Sequence, residues 1–286
     1  MAKSSKNRAP RSEEYLHLAT LIQEENWEEV RKHLFSDTIG NMTSEELYVA
    51  SLGTVLSACK DIPVGAKDIP DHYVTFFERY LELGIDINSV SPQGTTIMTS
   101  VSKAFQPLLI RYFIDKGADV NLSGAFGPPL MGVCAHAATL VLGEGFSEDD
   151  RNLYRPLAYE SAQILLENGA DPNFVHKAGT CIVQVIQTNW IDFNLLFLDY
   201  GAKFVDQPKH TTQICLEQAI QFTSPELLEI LFAYGLSPEI PLERKMIPLN
   251  YAKKNGKQEM AEVIEKALAH KIPPRHPTKS TIRSQV

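Results

Sequence analysis

Ile114-Asp115-Lys116-Gly117-Ala118-Asp119-Val120-Asn121 decides the reading of this chain. Just upstream, Pro107-Leu108-Leu109-Ile110-Arg111-Tyr112-Phe113-Ile114 places apolar side chains at i, i+3 and i+4, the spacing of one helix face. Gly117 follows that pattern. A glycine there ends a helix in the left-handed conformation, because it has no Cβ to clash. Asp119 and Asn121 then suit a tight turn, since their short side chains bond back to nearby backbone.

Working outward, the same pattern recurs. Leu81-Glu82-Leu83-Gly84-Ile85-Asp86-Ile87-Asn88 precedes it. Leu166-Glu167-Asn168-Gly169-Ala170-Asp171-Pro172-Asn173, Leu198-Asp199-Tyr200-Gly201-Ala202-Lys203-Phe204 and Phe232-Ala233-Tyr234-Gly235-Leu236-Ser237-Pro238 follow it. The glycines at 84, 117, 169, 201 and 235 are separated by 33, 52, 32 and 34 residues, so the long interval is one period plus 19. One helix ending of this kind means little. Five at a fixed period mean a stacked array in which each unit completes its neighbour's core.

Gly-Ala-Asp-Val-Asn at this period resembles the ankyrin repeat. The family's helix-opening Thr-Pro-Leu-His-x-Ala is eroded: Ile247-Pro248-Leu249-Asn250-Tyr251-Ala252 keeps it best, and Leu16-His17-Leu18-Ala19 keeps a trace. Thr96-Ile97-Met98-Thr99 and Gly127-Pro128-Pro129-Leu130-Met131 depart further, with Thr99 and Met131 where the family has histidine. The resemblance implies an all-α, ankyrin-type α-solenoid of seven stacked helix pairs. They are expected near 12–35, 44–83, 95–117, 128–169, 180–201, 212–235 and 247–269. Two loop insertions are expected, about 60–70 and 142–156. The repeat domain then covers 12–270, between flexible basic tails at 1–11 and 271–286.

Charge narrows the function. The net charge is −8, yet 1–11 and 271–286 carry eight cations and no acid, so the body between carries −16. An acidic body disfavours nucleic acid and favours a basic protein partner. No run nears the ~18 apolar residues of a membrane span, and no apolar segment follows the basic start, so a membrane or secretory role is not expected. Cys59, Cys134, Cys181 and Cys215 are far apart in apolar stretches, as expected of reduced thiols in the cytoplasm.

Motifs for chemistry are missing. The sequence has no phosphate-binding glycine loop, no GxSxG and no clustered metal ligands. Cys134 and His136 lie two apart on a predicted helix and so point apart. No catalytic residue, metal ligand or cofactor is expected.

The ankyrin resemblance implies a concave face built from turn tips and first helices. By offset from each glycine, its candidate contact residues include Gln93, Phe126, His176, Lys177, Lys209, His210 and Arg244. The second insertion adds Phe146, an aromatic in a loop, and the acids Glu148, Asp149 and Asp150. Asp149 and its neighbours also suit the positive end of a helix beginning there. The expected function is a monomeric protein-binding module, an adaptor or an immunity- or antitoxin-like inhibitor of one protein partner. An effector acting on host proteins, and a regulatory subunit of an enzyme, remain the alternatives.

Overall fold

The computed structural model describes residues 11–176, 179–204, 211–243 and 246–279. The described residues form fourteen α-helices, one short 3-10 helix and no β-strand. The helices pair as α1 Glu13–Gln23 with α2 Trp27–Leu34, α3 Ser44–Asp61 with α4 Asp71–Glu82, and α5 Ile97–Lys103 with α6 Pro107–Asp115. Then come α7 Pro129–Leu142 with α8 Glu148–Glu167, α9 Cys181–Thr188 with α10 Ile191–Asp199, α11 Thr211–Phe222 with α12 Pro225–Ala233, and α13 Pro248–Lys254 with α14 Gln258–Leu268. Each first helix packs on the next, from α1 through α13, and the second helices form a parallel row. The chain is an α-solenoid with one continuous apolar core. Rings join the second-helix row: Phe77 and Phe113, from α4 and α6, lie 5.1 Å apart.

The turns repeat a single hydrogen-bond scheme. Gly117 has φ +88°, and the following Ala118 N–H donates to the Phe113 carbonyl, closing the end of α6. The Asn121 side chain then spans to the next turn. Its Nδ2 donates to the Gly169 carbonyl at 2.9 Å, and its Oδ1 accepts from the Asp171 N–H at 2.9 Å. Asn88 makes the same pair of bonds to Gly117 and Asp119, and Asn173 makes it to Gly201 and Lys203. This ladder holds across the 52-residue interval, so the extra residues leave the stacking of the turns unchanged.

Those extra residues differ from the expected loop at 142–156. They lengthen helices: α7 continues to Leu142, α8 begins at Glu148, and only 143–147 is loop. Ser147 and Asp150 form a reciprocal capping box, which fixes the start of α8, and Pro156 is accommodated inside the helix. The other long connection runs from Ile62 to Pro70. The helix-opening motif is also rebuilt. Thr96 Oγ1 accepts from the Thr99 N–H and lies 2.7 Å from Thr99 Oγ1, so Thr99 bonds where the family's histidine would.

The C-terminal tail is not free over 271–279. Its backbone N–H groups bond to helix-end carbonyls, Arg275 to Ala233 and Lys279 to Asp199. Those carbonyls have no partner within their own helices, so the tail backbone satisfies them. At the other end, Arg11 lies over the Tyr15 ring and pairs with Glu45.

Candidate functional site

The first helices and turn tips build a grooved face. Tips 91–95 and 123–127 stack without a gap. The Ala125 N–H donates to the Gly94 carbonyl at 2.8 Å, and neither Gly94 nor Gly124 has room for a side chain. Packing glycine against backbone here leaves the flanking side chains to point outward.

Two adjoining clefts open beside these tips. One, of about 450 Å³, is lined by Tyr15, Leu56, Lys60, Ser91 and Gln93. The other, of about 710 Å³, is lined by Leu56, Thr99, Lys103, Phe126, His136 and Thr139. Leu56, Thr95 and Ser100 border both, so the clefts are continuous. Phe126 is 56% exposed and Leu56 is 49% exposed, a large apolar commitment for two residues on a solvated surface. The Lys103 ammonium stands 5.3 Å from the Phe126 ring centroid, within range of a cation–π contact. His136 stacks on Phe105 at 4.7 Å, and its Nδ1 bonds the Lys103 carbonyl. The cleft therefore has an aromatic anchor backed by a fixed polar wall.

The candidate residues are placed unequally. Gln93 and Phe126 lie in the joined clefts. His176 lies on the next tip, its ring beside Gly127 and its backbone bridged to Gly179. Lys177, Lys209, His210 and Arg244 lie outside the described residues. Phe146 lies in the 143–147 loop as expected, but it is half-buried against the core rather than presented to solvent. Glu148 and Asp149 are exposed in the first turn of α8 and line neither cleft. Asp150 is engaged in capping. Its carboxylate accepts from the Ser147 hydroxyl and N–H, and those bonds hold its pKa below the ordinary range.

Sequence reasoning overlooked Leu56, Lys60, Lys103 and a role for His136 here. Leu56 gives little signal because α3 is apolar on most of its circumference, with ten of its 18 residues buried. The charges on the cleft walls are Glu25, Lys60 and Lys103, so this region does not carry the acidity of the whole body.

Among the described residues no group of three His, Cys, Asp or Glu is placed to hold a metal. No described helix is long and apolar enough to cross a membrane. All four cysteines are free thiols.

No known family's sequence profile matches the chain, and neither does any curated protein. Solved structures do. An ankyrin repeat domain from Acinetobacter baumannii superposes with a TM-score of 0.52 at 15% identity, over 75% of this chain and 96% of that one. A chain of the complex between a predatory endopeptidase of Bdellovibrio bacteriovorus and an immunity protein superposes with a TM-score of 0.55. Its identity is 15%, over 74% of this chain and 97% of that one. This chain has an ankyrin-like fold. The joined clefts lie on the face formed by first helices and turn tips.

Proposed function

We propose that this chain is a protein-binding ankyrin-type module with no catalytic site of its own, acting as an adaptor or inhibitor of one protein partner. The observation that carries the reading is the exposed Leu56–Phe126 pair in a continuous cleft. An exposed ring with a cation over one face is the kind of anchor that carries binding energy in protein interfaces. The fold likeness to a complex containing an immunity protein supports the inhibitor form. The four free thiols support action in a reducing compartment, with the cytoplasm as the proposed location.

The cleft alters the expectation of a basic partner. With Lys60 and Lys103 on its walls, it favours an apolar element flanked by acids or hydroxyls.

The test is paired affinity capture from the native cell. The tagged chain and its L56A/F126A variant are compared for one specific bound protein, with melting temperature as the folding control. The account requires the variant to remain folded and lose that protein. Equal capture by both places the interface elsewhere.

A further inference from the structure

The outer edge of the array carries a second track of a different chemistry. Lys271, Arg275 and Lys279 follow one another at four-residue steps in the tail. Two of them donate their backbone N–H to the end of another second helix, Arg275 to Ala233 of α12 at 2.8 Å and Lys279 to Asp199 of α10 at 2.9 Å, while Lys271 closes α14 itself, onto the Lys266 carbonyl, as Ala118 closes α6. Four residues of extended chain span at most about 14 Å. That is enough to step obliquely between helices packed about 8–10 Å apart. Arg275 and Lys279 therefore fall on successive second helices.

The side chains match the surface they cross. The Lys279 ammonium lies 5.2 Å from the Tyr200 ring centroid. Arg275 shares a recess with Glu226 and Glu229 of α12. Tyr234 OH donates to the Asp199 carboxylate at 2.7 Å, beside the tail.

The surface goes on past the described end of the tail. α4, α6, α8 and α10 each end on an acid: Glu82, Asp115, Glu167 and Asp199. The negative end of a helix dipole disfavours a carboxylate, yet four consecutive second helices place one there. Glu82, Asp115 and Glu167 are exposed. Glu82 pairs with Arg79 of its own helix at 3.2 Å, while Asp115 and Glu167 form no ion pair among the described residues.

We infer that the ends of α8, α6 and α4 continue this track as a docking surface for an extended basic segment of a protein partner, with one Lys or Arg at every fourth position. The chain's own tail shows the binding mode on the adjoining helices. Backbone donors meet orphan helix carbonyls, one cation lies over a tyrosine face, and another shares a recess with two acids. This surface lies on the second helices and is independent of the concave cleft.

The probe is a fluorescein-labelled synthetic peptide of residues 271–286, titrated into the full chain by anisotropy. It is expected to bind, and to bind less as salt rises. E167Q/D115N should weaken it about tenfold at unchanged melting temperature. The same charge change on α14, E259Q/E262Q, should leave binding unaltered. A peptide of the same composition with its four cations contiguous should bind more weakly than the native order. Absence of binding overturns the inference, whether the track is closed or the chain's own end fills it. Equal loss in both charge variants, or equal binding of both peptides, reduces the effect to general electrostatics and also overturns it. Self-association of the chain at the same concentration would make a second copy the occupant, contrary to the inference.

Discussion

Asn121 and Asp171 are 50 residues apart in sequence and joined by a 2.9 Å hydrogen bond, from the Asp171 N–H to the Asn121 side-chain oxygen. With the bond from Asn121 to the Gly169 carbonyl, it ties the turn after α6 to the turn after the lengthened α8. Asn121→Ala would leave both backbone groups without their partner. The expected cost is about 1–3 kcal/mol, read as a lowered urea midpoint. An unchanged midpoint would mean that the ladder carries no stability.

Glu25, Phe105 and Asn189 have φ of +56°, +50° and +54°, and each lies between the two helices of a repeat. Gly256 holds the equivalent place before α14. Glu25 is exposed, so Glu25→Gly should relieve its backbone strain and stabilise the chain by about 0.5–1 kcal/mol. Asn189→Gly should not, because the Asn189 side chain accepts from the Ser224 N–H at 2.8 Å. Thermal melts of the two variants should therefore move apart.

Glu46 joins Ser12 to Thr43. Burial pushes its carboxyl upward, but the Ser12 and Thr43 N–H groups and the Thr43 hydroxyl outweigh that and hold the pKa below the ordinary range. A depressed pKa gives stability that is present above the unfolded value of 4.5 and lost as pH falls through the folded value. Glu46→Gln should therefore be less stable than the native chain near neutrality, with the difference narrowing as pH falls below about 4.5. A constant difference in a pH series of denaturation curves would contradict this.

Burial pushes the thiols of Cys59 and Cys215 up to about 12, and Cys134 also well above its ordinary value. These thiols stay protonated at pH 8 and should react slowly with a disulfide reagent in the folded state. All four cysteines should react at once in denaturant. Rapid labelling of the native protein would show that the helix pairs open.

The array was legible in the sequence where one residue's own conformation carried the signal. Gly117 and its counterparts announce themselves because only glycine enters the left-handed region freely. Asn121 reads as a local turn former, since nothing in its own segment points to a partner in the next repeat. The start of α8 was legible in Ser147 and the acids that follow it, whereas the shrinking of the insertion to five loop residues was not. The fastening of Arg275 and Lys279 was not legible, because it uses backbone N–H groups common to almost every residue. Of the cleft, Phe126 and Gln93 could be found by offset from a glycine. Leu56 could not, since in α3 it resembles the buried residues around it.

The most direct test places the photo-crosslinker p-benzoylphenylalanine at Phe126 in the native cell, with the same group at the exposed Phe35 at the end of α2 as the comparison. Docking in the concave cleft predicts one dominant crosslinked protein from Phe126 and none of it from Phe35. No adduct at Phe126, or the same adducts from both positions, would contradict the assignment of this cleft as the binding site.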